Sequence, residues 1–166
     1  MSPRSTPRPK PKSRWPRWVE RADEINLREV APNLYVGGQF SPLEMPTGKK
    51  WELVVDFYGK SAQYPSRVRD TAKKLLALPF LDGDRFPPGA LTRALQQVRA
   101  ARRRGPVLIQ CQAGLSRSAS AAYGLMRRIG RLSHAVALKR VKCRGAAEFP
   151  REATLASARE WVEKAR

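Results

Sequence analysis

The chain of 166 residues is long enough for one domain with a sizeable core, and its 33 Lys and Arg residues against 14 Asp and Glu residues give a formal net charge of +19. This charge predicts that the protein attracts polyanions such as acidic proteins, anionic lipid headgroups or nucleic acid, but it does not define the fold. Two cysteines, Cys111 and Cys143, are too few for a disulfide-stapled scaffold, and no segment has the apolar length of a signal peptide or membrane span.

The amino-terminal segment differs in composition from the rest of the chain. Residues 1–17 hold five prolines and six basic residues, and no acidic residue. Such a segment buries too little apolar surface to fold, so we assign residues 1–22 to a flexible basic arm and residues 23–166 to a folded domain. The arm is either a solvated tail or a tether to an anionic membrane surface or another polyanion, for which Trp15 and Trp18 among basic residues are suited.

Apolar runs predict three strands in the first half of the folded domain, at residues 34–36, 51–57 and 75–80. Between the first two strands, Ser41–Glu44 fits a capping box at the start of a short helix. A second short helix is predicted over residues 66–74. Asp56 lies at the carboxyl end of the second strand, where an aspartate more often shapes a turn than lines a cleft. We therefore interpret Asp56 as a turn former.

Helical periodicity dominates the second half of the chain. Residues 88–104 carry one apolar stripe before Gly105, formed by Leu91, Ala94, Leu95, Val98 and Ala101. Further helices are predicted at residues 118–129, 133–142 and 151–164. The only histidine, His134, follows the serine that caps the second of these helices, and we interpret it as incidental. Because strands alternate with helices, the sequence predicts an α/β fold with a central, mostly parallel sheet flanked by helices.

The stretch from Pro106 to Ser120 predicts a strand, a tight loop and a helix. The apolar run 106–110 predicts a buried strand that delivers Cys111 to its carboxyl end, where ligands bind in open α/β sheets. Five residues separate Cys111 from Arg117, and the small residues among them allow backbone N–H groups to converge on one anion, beside the positive end of the helix dipole. The loop amides expected to bind the anion belong to Gln112, Ala113, Gly114, Leu115 and Ser116.

A cysteine at the mouth of such a loop is suited to nucleophilic chemistry, because the positive surroundings stabilise its thiolate. Arg117 can give two parallel hydrogen bonds to a phosphate, a geometry that lysine cannot copy. Ser118 can donate a hydrogen bond to the sulfur and assist its departure as a leaving group. The alternative interpretation is a small buried cysteine beside a surface arginine.

The segment VLIQCQAGLSRSASAAYGLM resembles the signature of the cysteine-dependent protein tyrosine phosphatase superfamily, and its R-S pair before an alanine-rich helix is most similar to the dual-specificity branch. Over residues 30–165 the resemblance implies a compact dual-specificity phosphatase-like fold. It also implies a phosphocysteine intermediate on Cys111, phosphate binding by Arg117 and the loop amides, no cofactor and no metal. The family usually has histidine before the cysteine, whereas this chain has Gln110, whose neutral amide can still hydrogen-bond the loop.

The resemblance further implies a mobile aspartate as general acid. The Gly- and Pro-rich loop LPFLDGDRFPPGAL carries two candidates, Asp82 and Asp84. A carboxyl group on such a loop can protonate the leaving oxygen and then activate water. The spacing from Asp82 to the apolar residue Leu91 is similar to that of the family, so we assign Asp82 and keep Asp84 as the alternative. Both can also be simple turn residues.

These features predict a phosphomonoester hydrolase, most similar to a protein tyrosine or dual-specificity phosphatase that acts on phosphorylated proteins. Lipid-directed members tend to carry Lys or Arg inside the loop, and this loop has neither between Cys111 and Arg117. The alternatives are a phosphoinositide or other small-molecule phosphatase, a phosphate-binding pseudophosphatase, and a rhodanese-like sulfur transferase, whose loop is usually shorter. We expect a monomer in the reducing cytoplasm, with the basic arm allowing peripheral attachment to an anionic membrane. The sequence contains no specific nucleic-acid-binding motif.

Overall fold

The centre of the molecule is a five-stranded sheet. The computed structural model describes residues 26–45, 49–59, 70–142 and 148–165. The strands are β1 (Arg28–Ala31), β2 (Leu34–Gly37), β3 (Leu53–Asp56), β4 (Leu75–Ala77) and β5 (Val107–Gln110). Their spatial order is β1-β2-β5-β3-β4. Only the edge pair β1 and β2 is antiparallel, which confirms the predicted mostly parallel sheet.

Helices cover the sheet as predicted for an α/β domain. In the described part of the chain they are α1 (Ala90–Arg102), α2 (Arg117–Ile129), α3 (His134–Val141) and α4 (Glu152–Glu163). The apolar stripe predicted for α1 is buried. Helix α2 is buried throughout residues 117–126 and contacts β5 and the other three helices. Its small residues permit this close packing: a Cβ on Gly124 would lie only 3.3 Å from the Trp161 ring of α4.

Strand β5 determines where the site lies. All four of its residues are buried, as expected for the central strand of a sheet covered on both faces. Its last residue, Gln110, is in register with Gly37 of β2 on one side and Asp56 of β3 on the other. The three strands therefore end at the same level. This common carboxyl edge is where an α/β sheet binds ligands.

The two faces of the sheet carry separate apolar clusters because successive side chains of a strand point in opposite directions. Val55 and Ile109 belong to the large core beneath the helices, whereas Val54 and Leu108 join Trp51 and Ala72 in a smaller cluster on the other face. Among the residues described, no helix combines the length and the apolar character needed to span a membrane.

Two predicted details were wrong, and one strand was not predicted. The strand predicted over 75–80 ends at Ala77, because Pro79 has no N–H with which to continue the ladder. The short helix Ser41–Glu44 is a 3-10 helix whose N-cap is Phe40, and not Ser41 as the expected capping box requires. Strand β1 was not predicted, since it is only four residues long and contains the exposed Glu29.

Other predictions concern parts of the chain that the structure does not describe. The basic arm of residues 1–22, residues 66–69 of the helix predicted over 66–74, and Cys143 lie outside the described residues. In the described part of that predicted helix only Asp70 and Thr71 are helical, and Ala72 instead forms an isolated bridge with Trp51, so the helix was predicted too long.

Candidate active site

The loop between β5 and α2 contains the cysteine and arginine that the sequence singled out. Cys111 follows β5 directly, is 3% exposed, and donates its backbone N–H to Gly37 O at 3.3 Å. Arg117 is the first residue of α2 and is also buried. The predicted strand, loop and helix are therefore confirmed, with the helix beginning one residue earlier than expected.

Gly114 allows the loop to pass close to the end of β2. Its φ of +75° lies in the left-handed region, and a Cβ at this position would lie 2.6 Å from the carbonyl carbon of Gly37 and 2.8 Å from the nitrogen of Gly38. Both contacts are with backbone atoms, which cannot rotate away. Only glycine fits this position without moving the loop or the strand end.

The carbonyl groups of three consecutive loop residues are held by donors outside the loop. The hydrogen bonds are Gln39 N to Gln112 O (2.9 Å), Asn26 Nδ2 to Ala113 O (2.7 Å) and Arg28 Nη2 to Gly114 O (3.0 Å). These bonds hold the carbonyl oxygens from outside the loop, which is compatible with amides that converge on an anion at its centre. Sequence reasoning missed Asn26 and Arg28, which are 87 and 86 residues away from the groups they bind.

Ser118 lies where it can interact with the cysteine sulfur. Its Oγ is 3.2 Å from Cys111 Sγ, and both residues are buried. Ser118 lies in the first turn of α2, so the sulfur also faces the positive end of that helix dipole. The arrangement allows the hydroxyl to donate to a thiolate, as the sequence analysis expected.

The guanidinium group of Arg117 is anchored through Nη1, whereas its Nε makes no hydrogen bond with the described residues. Its Nη1 donates to the carbonyl oxygens of Phe57 (3.1 Å) and Phe80 (2.8 Å), and its Cζ lies 5.5 Å from the centre of the Tyr58 ring. Its Nε is buried and makes no hydrogen bond to any residue that the structure describes. A buried donor without an acceptor is costly in a protein interior, so this group is ready to bind an anion.

Of the two candidate aspartates, only Asp82 faces Arg117. Asp82 Oδ1 lies 3.6 Å from Arg117 Nε, within ion-pair reach but too far for a hydrogen bond. Its Oδ2 accepts a hydrogen bond from Arg151 Nε at 2.9 Å. Asp84 is exposed, and its backbone carbonyl accepts from Thr154 Oγ1 at 2.7 Å, which fixes the loop to α4. The structure thus brings Cys111, Arg117, Ser118 and Asp82 to one edge of the sheet.

Gln110, which precedes the cysteine, does not use its side-chain oxygen as an acceptor for any described residue. The side chain is 1% exposed, and its Oε1 accepts no hydrogen bond from the described residues. Its backbone carbonyl accepts from Phe57 N at 2.9 Å, which continues the ladder beyond β3. Gln110 therefore occupies the position before the cysteine without a hydrogen bond to its side-chain oxygen.

Two interpretations outside the loop can be compared with the structure. Asp56 shapes a turn as expected, because its two oxygens accept the amides of Tyr58 (2.8 Å) and Gly59 (3.1 Å). His134 makes a structural contact: its Nδ1 lies 2.8 Å from the hydroxyl of the buried Tyr123. Within the part of the chain that is described, no group of three or more His, Cys, Asp or Glu side chains is placed to hold a metal ion.

Comparison with known proteins gives structural likenesses only. No protein-family model and no curated protein matches the sequence. Human DUSP28 superposes with a TM-score of 0.68 at 24% identity, over 84% of this chain and 95% of that protein. TpbA of P. aeruginosa in complex with pTyr superposes with a TM-score of 0.59 at 23% identity, over 83% of each chain. PTPMT1 in complex with PI(5)P superposes with a TM-score of 0.64 at 13% identity, over 83% of this chain and 95% of that protein.

These likenesses and the sheet order define the class of fold. The chain has the α/β fold of the cysteine-dependent protein tyrosine phosphatase superfamily, in its compact dual-specificity phosphatase-like form. The resemblance noted in the sequence is thereby confirmed at the level of the fold.

Proposed function

We propose that the protein is a phosphomonoester hydrolase that forms a cysteinyl-phosphate intermediate, and most specifically a protein tyrosine or dual-specificity phosphatase. The observation that carries the proposal is the buried Nε of Arg117, a cationic donor with no hydrogen-bond acceptor among the described residues. It faces Asp82, and Arg117 ends the loop that begins at Cys111. A cation, a nucleophile and an acid around an amide-lined loop are the groups that phosphoryl transfer requires.

In the first step, the thiolate of Cys111 attacks phosphorus in line with the leaving oxygen. The sulfur–phosphorus bond forms and the ester phosphorus–oxygen bond breaks. Arg117 and the amides of residues 112–117 stabilise the charge on the equatorial oxygens. Asp82 gives its proton to the leaving oxygen, which departs as an alcohol or phenol.

In the second step, water attacks the phosphorus of the phosphocysteine. Asp82, now a carboxylate, takes a proton from this water. The sulfur–phosphorus bond breaks, inorganic phosphate is released, and Ser118 donates a hydrogen bond to the departing thiolate. The 3.2 Å contact between the Ser118 oxygen and the sulfur supports this role. The proposed route uses no metal ion and no cofactor.

Phosphorylated protein is the substrate class that we favour. None of the residues between Cys111 and Arg117 is basic, so the loop offers no additional cation for a second phosphate on a lipid headgroup. A phosphoinositide or another phosphomonoester is the second candidate, favoured by the net charge of +19 and by the PI(5)P bound to the structural neighbour PTPMT1. The need to keep Cys111 reduced suits a cytoplasmic location.

A phosphate-binding protein without turnover is the alternative from another class. It is favoured by Gln110, whose side-chain oxygen has no hydrogen bond among the described residues at a position that usually holds histidine in this superfamily. In that case the loop would bind phosphate or vanadate and release no product.

Hydrolysis of para-nitrophenyl phosphate under reducing conditions tests the proposal, with Cys111→Ser, Asp82→Ala and Asp84→Ala compared with the wild type. We expect Cys111→Ser to abolish turnover and Asp82→Ala to lower kcat by about 10²-fold or more, because general acid–base catalysis contributes that much. Asp84→Ala is the matched control and retains activity. If the wild type binds vanadate but shows no turnover, the protein is a phosphate-binding protein and not an enzyme.

A further inference from the structure

Arg151, which the sequence analysis did not select, connects both halves of the candidate active site. It is the residue immediately before α4. Its backbone N–H donates to Ser116 Oγ at 3.0 Å, and its side-chain Nε donates to Asp82 Oδ2 at 2.9 Å. One residue therefore contacts the phosphate-binding loop through its backbone and the acid-bearing loop through its side chain.

The side chain of Arg151 is held along the turn that carries Asp82. A Cβ added to Gly83 would lie 3.3 Å from Arg151 Cδ, so the aliphatic part of Arg151 runs beside this turn. Its Cζ lies 5.2 Å from the centre of the Phe149 ring, within range of a cation–π contact. The Phe149 ring and the turn at Gly83 thus orient a guanidinium group whose side chain is 53% exposed.

The two oxygens of Asp82 face two different arginines. Oδ1 lies 3.6 Å from Arg117 Nε, and Oδ2 accepts the hydrogen bond from Arg151. A phosphate dianion in the loop would draw Arg117 to itself, because it offers more negative charge and several acceptor oxygens. Arg151 would then be the remaining contact of the carboxyl group. A protonated Asp82 can still accept this bond on Oδ2 while Oδ1 carries the proton toward the leaving oxygen.

We propose that Arg151 is a positioning residue for the general acid: it fixes the direction of the Asp82 carboxyl group when substrate occupies Arg117. This inference rests on the function proposed above. Arg151 acts through Asp82, so its removal slows the two proton transfers that use this carboxyl group, and the first of them only where the leaving group needs a proton.

Leaving-group selectivity tests this proposal. The variants are Arg151→Met, Arg151→Lys and Asp82→Asn, and the substrates are phenyl phosphate, which needs protonation of its leaving group, and dinitrophenyl phosphate, which does not. The readout is kcat/KM, because it reports on phosphoryl transfer to Cys111 and not on the later hydrolysis. We expect Arg151→Met to lower kcat/KM for phenyl phosphate by about tenfold or more and for dinitrophenyl phosphate by less than about threefold.

The comparison variants make the result specific. Asp82→Asn should also lower kcat/KM more for phenyl phosphate than for dinitrophenyl phosphate, and by a larger factor than Arg151→Met does. Arg151→Lys should lower kcat/KM for phenyl phosphate less than Arg151→Met does. Arg85→Met is the matched control: Arg85 is another exposed arginine of this region, and it pairs with Glu160 of α4 instead of Asp82. The Arg85→Met variant should leave kcat/KM unchanged for both substrates.

Each outcome supports or overturns the proposal. Equal losses for both substrates, or no loss with Arg151→Met, would contradict it while leaving the proposed enzyme intact. Activity in Cys111→Ser would instead overturn the proposed function. Thermal unfolding and vanadate inhibition of each variant show whether the loop is still folded, and Arg151→Lys keeps the test available if Arg151→Met does not fold.

Discussion

Gly114 is the single residue on which the shape of the loop most depends. Gly114→Ala would place a methyl group against the backbone of Gly37 and Gly38 in addition to the strain of a left-handed alanine, which itself costs about 1–3 kcal/mol. Gly89→Ala is the matched control, because Gly89 has a similar φ of +78° and no atom within 4 Å of an added Cβ. We expect Gly114→Ala to lower the free energy of unfolding more than Gly89→Ala does, and to weaken vanadate binding. Equal losses in denaturant unfolding would show that the close approach does not matter.

Gln110 gives a second prediction at this scale. A buried acceptor without a donor costs about 1–3 kcal/mol, so Gln110→Met, which removes the acceptor at similar volume, should leave the free energy of unfolding unchanged or raise it. Thr154→Val is the control, since Thr154 is fully buried and its hydroxyl donates to Asp84 O. That variant should lose stability. A clear loss in Gln110→Met would mean that the glutamine oxygen has a partner, such as a bound water.

The residues of the loop could be predicted from the sequence because they are close together in the chain. Cys111, Arg117 and Ser118 lie within eight positions, so one strand, one loop and one helix bring them together. The contact between Asp82 and Arg151 spans 69 positions and depends on how α4 packs beside the loop. No local pattern reveals such a contact, and for this reason Arg151 was missed.

At the scale of the elements, Glu52 connects three segments of the chain. It precedes β3, forms an ion pair with Lys73 before β4, and forms another at 3.4 Å with Arg104 after α1. The hydrogen bond from Lys73 is the main cause that holds the pKa of Glu52 below its usual value, Arg104 adds to the effect, and burial opposes it. A lowered pKa means that the folded state favours the charged carboxylate.

The sign of the pH dependence follows from this pKa. The stabilisation is complete above the ordinary carboxyl pKa, about 4.3, and is lost as pH falls through the lower value of the folded state. We expect Glu52→Gln to lower the unfolding temperature at neutral pH, with the difference from the wild type shrinking below about pH 4. Thermal unfolding across this pH range measures it. A difference that stays constant with pH would show that lost packing, and not charge, explains the variant.

Elements with strong periodicity were predicted well, and short or edge elements were not. The stripe of α1 and the continuous apolar runs of β3 and β5 are direct consequences of burial. Strand β1 pairs on one side only and exposes Glu29, so its sequence carries little apolar signal. The burial pattern of strand β4 is too weak to predict where the strand ends. The strand ends before Pro79, because proline has no backbone N–H to donate to the ladder.

For the whole molecule, the net charge of +19 predicts a preference for acidic substrates, because a positive protein attracts them over long distances. We expect kcat/KM for a phosphopeptide with acidic flanks to fall about tenfold as salt rises from low to about 0.5 M, because added salt screens the attraction. A phosphopeptide with basic flanks is the control and should show the opposite trend. The same salt dependence for both peptides would mean that the charge does not influence substrate capture.

The measurement that tests the central claim most directly is detection of the phosphorylated enzyme. Ser118→Ala should slow departure of the thiolate, so the variant is mixed with dinitrophenyl phosphate, quenched rapidly and examined by mass spectrometry. The proposed mechanism predicts one phosphoryl group on the peptide that contains Cys111, and none in the Cys111→Ser variant. Continued turnover with no phosphorylated enzyme, or a phosphoryl group on another residue, would contradict the mechanism.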